Sequence, residues 1–219
     1  MENPTPEEGR ILLVNKPLEW TSFDVVNKLR YKLKIKKIGH AGTLDPLATG
    51  LLIICTGKMT KRIEEFMGQE KEYTGKFVIG STTPSHDLET EVSAPTDIAH
   101  ITPQDIAEAT KNFIGNISQL PPMHSAIRIG GKRAYEFARQ GKEIELKHRD
   151  VVVSEFEITA IQLPHVSFRI VCSKGTYIRS IARDFGNALG VGAYLSELCR
   201  TRIGSFLLKD AQSIEEVTL

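Results

Sequence analysis

The run Leu51-Leu52-Ile53-Ile54-Cys55 constrains the fold more than any other stretch of the chain. It is far shorter than the roughly 18 apolar residues of a membrane-crossing helix. Bounded by glycine and threonine, it reads as a buried strand, Gly50 to Thr56. A buried strand needs neighbours. Gly9–Asn15, Lys71–Gly80, Arg149–Leu163 and His165–Ser173 supply them, by alternation or by their Val, Ile and Phe content. A helix capped by Thr21 or Ser22 carries Phe23, Val26, Leu29 and Leu33 near helical spacing. Thr60–Met67 is predicted helical. Thr102 caps a third helix that starts at Pro103 with Asp105 in its first turn, and Thr176–Leu189 forms a fourth, stopped by Gly190. Ile38–Thr49 is a glycine-, threonine- and proline-rich loop, and Ser81–Thr102 a long acidic one. This order has no regular βα alternation and no repeat. It predicts one α+β domain of 219 residues around a mixed, mostly antiparallel sheet flanked by helices, with no internal linker.

A hydrophobic fraction of 41% and a charged fraction of 25% exclude disordered, collagen-like and disulfide-stapled chains. The acidic, proline-bearing start Met1–Glu8 is not a signal peptide. Cys55, Cys172 and Cys199 are far apart, which fits a reducing, cytoplasmic setting. A net charge of +1 argues against a nucleic-acid binder, but it hides segregation. Lys28–Lys37 carries six basic residues and no acid, whereas Pro84–Glu108 carries six acids and no base. Phosphate-binding, dinucleotide and serine-hydrolase motifs are absent, and neither the six histidines nor the cysteines show metal-ligand spacing. The expectation is an activity without cofactor or metal.

The informative segment runs from Lys37 to Gly50 and contains Gly39-His40-Ala41-Gly42-Thr43-Leu44-Asp45-Pro46-Leu47-Ala48-Thr49-Gly50. Its glycines permit close backbone approach, and Pro46 biases Asp45 towards an extended conformation. Taken alone, an Asp-Pro pair is a turn and a lone His a surface residue. The whole run, however, resembles the signature of the TruB family of tRNA pseudouridine synthases. Further segments resemble the same family in the same order: Val14–Pro17 with Thr21-Ser22, Lys71-Glu72-Tyr73, Gln119–Pro122 with Ser125-Ala126, Gly131 with Tyr135, Ala138-Arg139 and Gly141, Ser173–Ile181, and Gly192-Ala193 through Arg200-Thr201 and Gly204.

The resemblance implies a pseudouridine synthase fold and the conversion of uridine 55, in the tRNA T-loop, to pseudouridine. The uracil is detached from C1′, turned and rejoined through C5, with no cofactor. Asp45 matches the essential aspartate. Its carboxylate attacks the sugar or the base, or removes a sugar proton; these routes stay open. Arg179 matches the arginine that pairs with that aspartate, and Tyr73 the tyrosine that stacks on the target uracil and is a candidate base. Tyr177 and the backbone around Leu198 match the lining of the uracil pocket, and Asp87 a polar position near the flipped nucleotide. His40 matches the residue that fills the space left by extruded bases. Lys16 and Lys61 are expected to serve phosphates or support the pocket. Residues 121–149, with Gly130, Gly131 and Gly141, match an RNA-clasping thumb that orders on tRNA binding. The enzyme is expected to work as a monomer in the cytoplasm, on the T-arm of tRNA, with no membrane or metal.

The sequence departs from the family at Tyr194, Cys199 and the Pro84-Ser85-His86 turn. With the sequence ending at Leu219, the C-terminal PUA domain of many bacterial members is not expected. Two other readings are a non-catalytic RNA chaperone of the tRNA elbow and a guide-RNA-dependent synthase subunit. A pure binder needs no carboxylate facing RNA, and a guide-dependent subunit would carry a further RNA-anchoring domain.

Overall fold

The computed structural model describes residues 8–125, 128–129, 131–138, 140 and 144–218. In chain order the elements are β1 (Ile11–Lys16), α1 (Ser22–Leu33), β2 (Ile38–His40), β3 (Ala48–Thr56), a 3-10 turn (Gly57–Arg62), α2 (Ile63–Gly68), β4 (Lys71–Ile79), α3 (Pro103–Lys111) and β5 (Gly115–Gln119). Then come the short strands β6 (Arg128–Ile129) and β7 (Lys132–Arg133), α4 (Ala134–Ala138), β8 (Arg149–Gln162), β9 (His165–Cys172), α5 (Ile178–Ala188), β10 (Ala193–Ile203), β11 (Phe206–Leu207) and a second 3-10 turn (Leu208–Asp210). The architecture is α+β with mixed strand pairing. Two compact units are distinguished: residues 1–74 with 197–219, and residues 75–196. β4 and β10 each supply residues to both.

In the first unit β3 is central. β1 lies antiparallel along it, from Ile11 opposite Cys55 to Lys16 opposite Gly50. On its other side β10 runs parallel to its start, with Leu198 opposite Ala48 and Arg200 opposite Gly50. β2 then runs antiparallel to its end. Alternation sends Leu52 and Ile54 to one face, against Val25, Val26, Leu29 and Leu33 of α1. Leu51, Ile53 and Cys55 go to the other, against Phe66 and Ile203. Both faces are covered, so the strand's sequence is continuously apolar. α1 starts at a capping box of Thr21 and Asp24. Each fully buried aliphatic side chain on it contributes about 1.5–3 kcal/mol.

In the second unit β8 pairs antiparallel with β5 and β9. Its core is aromatic. Phe77 stacks on Phe168 with ring centroids 4.2 Å apart, and Phe156, Phe113 and Phe185 close around them. α3 begins as its sequence predicts, with Thr102 and Asp105 forming a capping box and Pro103 in the first turn.

Three local expectations change. The predicted loop Ile38–Thr49 begins with β2 and ends inside β3, so it is confined to residues 41–47. The predicted helix Thr60–Met67 is a 3-10 turn followed by α2. β10 is a strand that the sequence pattern conceals, because Ser196, Glu197, Arg200, Thr201 and Arg202 interrupt apolar alternation. Its Arg200 is nevertheless 1% exposed. Of the expected thumb, Ala126, Ile127, Gly130, Arg139, Gly141, Lys142 and Glu143 lie outside the described residues, as do Met1–Glu7.

Candidate active site

The loop carrying Asp45 is held from several sides by backbone-directed side chains of the first unit. Gly50 is the pivot. It lies opposite Lys16 on β1 and opposite Arg200 on β10. Its φ is +104°, and a Cβ there would sit 2.4 Å from the Arg200 carbonyl oxygen, so only glycine fits. The two largest fully buried side chains of the described residues thus flank a glycine.

Each of these cations grips one flank of the loop. Arg200 Nε donates to the Leu51 carbonyl at 2.8 Å. Its two terminal nitrogens donate to the carbonyls of Gly42 at 3.2 Å and Thr43 at 3.4 Å. Lys16 Nζ donates to Pro17 at 2.8 Å, Trp20 at 2.6 Å and Pro46 at 3.3 Å, which uses all three N–H bonds. Between them, Ser22 Oγ accepts from the Leu44 N–H at 2.8 Å and donates to the Leu44 carbonyl at 3.3 Å. Asp45 is therefore bracketed: its two predecessors and its successor are tied to three different elements. Its own carbonyl accepts from Ala48 N–H at 3.0 Å, which closes the turn into β3.

The electrostatics follow from this burial. Desolvation pushes the Lys16 ammonium down to about 8, while attraction to Asp45 opposes that fall and Arg200 adds to it. The attraction is mutual, so the Lys16 charge favours an anion at position 45. His40, at the end of β2, also has its proton affinity lowered, by burial first; the Gly42 backbone raises it and Arg200 lowers it further. Leu198 meets the start of β3, where its carbonyl accepts from Thr49 Oγ1 at 3.4 Å. Tyr73 is buried on β4. Lys61 is exposed on the 3-10 turn after β3. The two lysines grouped together by sequence thus have different surroundings, and Lys16 is a tie between loops.

The second unit holds Asp87, Tyr177 and Arg179. Arg179 Nε lies 3.5 Å from Asp87 Oδ2, and both side chains are buried. Arg179 also donates to the Ser85 carbonyl at 3.4 Å. Asp87 is fixed by its backbone, whose carbonyl accepts from Thr83 at 2.7 Å and Ser85 at 3.1 Å. The unusual Pro84-Ser85-His86 turn places His86 at φ +63°. Burial, then Arg183 and Arg179, push its imidazole down to about 4, so it is neutral at pH 7. Tyr177 precedes α5, and its backbone N–H and carbonyl are both bonded by the buried Gln119 amide at 2.8 and 3.1 Å. Sequence reasoning assigned no role to Arg200 or Gln119, and to Ser22 only that of a candidate helix cap. No local pattern marks a polar side chain that bonds a distant backbone. Among the described residues, no group of three or more His, Cys, Asp or Glu could hold a metal ion.

Residues 30–178 match the family model described as TruB family pseudouridylate synthase, N-terminal domain. The chain is 56% identical over 220 residues to a tRNA pseudouridine synthase B of Flavobacterium johnsoniae, covering 96% of each. It is 56% identical over 215 residues to the protein of the same name in Parabacteroides distasonis, covering 95% of this chain and 92% of that one. Among solved structures it is similar to a chain of a Cbf5-Nop10-Gar1 complex, at 30% identity and a TM-score of 0.75. That match covers 96% of this chain and 53% of the other, so the chain spans about half the length of that solved protein. A pseudouridylate synthase at 16% identity and a TM-score of 0.51, covering 95% of this chain and 69% of that one, shares the fold.

Proposed function

The chain belongs to the TruB family of pseudouridylate synthases, and on that premise we propose that it isomerises uridine 55 in the tRNA T-loop to pseudouridine. The observation that carries this reading is the bracketed Asp45. An RNA chaperone would gain nothing from a carboxylate whose neighbours are fixed by Arg200, Ser22 and Lys16. A nucleophile or base must be held within a fraction of an ångström of its target, and that arrangement supplies such rigidity.

Asp45 acts on the extruded nucleotide as an ionised carboxylate, favoured by the buried Lys16 charge. Tyr73 stacks on the uracil, and Leu198, Tyr177 and Asp87 line its pocket. Arg179 offsets carboxylate charge at the site. His40, whose imidazole resists protonation, stacks in the space left by the flipped bases. Residues 121–149 clasp the RNA. Lys61 lies on the surface, where a phosphate can reach it. The reaction needs no cofactor, and the enzyme works as a monomer.

The decisive assay is tritium release from tRNA transcribed with 5-tritiated uridine, because rejoining at C5 displaces that hydrogen into water. The unaltered chain releases label and Asp45→Asn does not. Equal release from both would overturn the assignment of Asp45. For the thumb, limited proteolysis within 121–149 slows when tRNA is added; unchanged cleavage counts against an ordering role.

A further inference from the structure

The basic run Lys28–Lys37 takes no part in the site described above. On α1, Ser22, Val25, Val26, Leu29 and Leu33 face the core. Tyr31 occupies the opposite point of the helix and is 81% exposed. Lys28 lies beside it at i−3, and Lys34, Lys36 and Lys37 follow in the exposed turn after the helix. Two cations of the run have other partners. Lys32 Nζ donates to the Ile214 and Glu215 carbonyls, and Arg30 donates to Asn27 at 2.7 Å. The acid nearest on this helix, Asp24, is held in the N-terminal cap by Thr21. The second half of the helix and the turn after it therefore expose four lysines within six positions of one exposed aromatic ring.

A solvated helix end explains the lysines, which complement the dipole there. It does not explain the tyrosine, which leaves an aromatic ring in water with nothing packed on it. Lysines around an exposed ring are the composition of a nucleic-acid surface: the cations meet phosphates, and the ring stacks on an unpaired base. The position relative to the site is also fixed within this unit. The start of α1 is joined to the Asp45 loop through Ser22 and Leu44. The helix has 12 residues, so its basic end lies about 18 Å further on. That distance is several nucleotides along an RNA.

We propose that Tyr31 with Lys28, Lys34, Lys36 and Lys37 forms an accessory RNA-binding face that engages the substrate outside the loop being modified. The proposal rests on RNA being the substrate. Lysines contribute affinity without sequence preference, and Tyr31 adds a stacking contact to one unpaired base. Lys32 is excluded from the face and serves to fasten the C-terminal segment.

The test is binding, which is read independently of turnover. Lys28→Glu/Lys36→Glu/Lys37→Glu and Tyr31→Ala are compared with the unaltered chain, using full-length tRNA and a stem-loop restricted to the T-arm. All four residues are solvent-exposed, and circular dichroism verifies folding. On full-length tRNA the triple variant weakens binding at least about tenfold, and the slope of log affinity against log salt falls by about 2, from three lost contacts. Tyr31→Ala weakens it by about tenfold and Tyr31→Phe restores it, because the ring stacks without its hydroxyl. On the stem-loop all variants bind like the unaltered chain, and kcat at saturating tRNA is unchanged. Unaltered affinity and salt slope on full-length tRNA would overturn the proposal. Equal losses on the stem-loop would overturn the placement outside the modified arm. A charge-dependent loss of binding to anionic vesicles, with tRNA affinity intact, would show the face to be a membrane surface instead. Loss of tritium release in Asp45→Asn is untouched by any of these outcomes.

Discussion

Replacing Arg200 probes whether the loop's rigidity comes from side-chain-to-backbone ties. Its guanidinium bonds three carbonyls, at 2.8, 3.2 and 3.4 Å. A hydrogen bond from a charged donor contributes about 1.5–3 kcal/mol, and the two longer ones roughly half that each. Removing the buried cation also relieves its desolvation cost, which offsets part of the loss. Arg200→Met should therefore destabilise the fold by about 3 kcal/mol, read from urea midpoints. Arg200→Lys keeps the charge but not the planar fork, so one ammonium cannot reach Leu51, Gly42 and Thr43 together. It should cost about 1–2 kcal/mol. In single-turnover tritium release it should lower the rate about a hundredfold, because an ångström of drift at Asp45 suffices for that. Binding of tRNA should change little. A lysine variant with the unaltered rate, or a methionine variant as stable as the parent, would refute the view that Arg200 positions the loop.

Three further outcomes follow from single sites. Thr102→Ala removes the α3 capping box and should cost about 1 kcal/mol in denaturant titration, with no change in tritium release. Gly186→Ala places a Cβ 2.1 Å from the Ala193 nitrogen, a contact with backbone that cannot swing away. It should lower stability by more than about 3 kcal/mol or abolish soluble expression, which a melting curve reports. For pH, Lys16 titrates near 8 in the fold against 10.5 when unfolded. Between those values the unfolded chain holds a proton that the folded chain has released, so this group's contribution to stability rises with pH. The Asp45 loop meanwhile loses the ammonium and one of its N–H donors. Activity should fall above pH 8 while urea midpoints do not fall with it; a parallel decline of both would refute the role given to Lys16.

How much of this was legible in the sequence depends on whether the signal was local. β3 was readable because burial on both faces leaves a continuous apolar run. The α3 cap was readable because Thr102, Pro103 and Asp105 are adjacent. The loop from Gly39 to Gly50 was readable as a whole motif, and Asp45 stands within it at the turn into β3. The supports of that loop were not readable. Arg200 is 155 positions from Asp45 by subtraction, and it lies in a strand whose charged residues hide its period. Burying a guanidinium needs carbonyls that converge on it, and only the folded backbone of Gly42, Thr43 and Leu51 provides them. For Lys16 the sequence suggested a phosphate contact or a pocket support, as for Lys61, but not the three carbonyls it ties. Gly50 links the two levels. Its place in the motif is visible in the sequence, but the reason for it is its positive φ and the close approach of the Arg200 backbone. A side chain at position 50 would push β10 away and loosen the Arg200 grip on the Asp45 loop. The glycine therefore positions the Asp45 loop by letting Arg200 reach it.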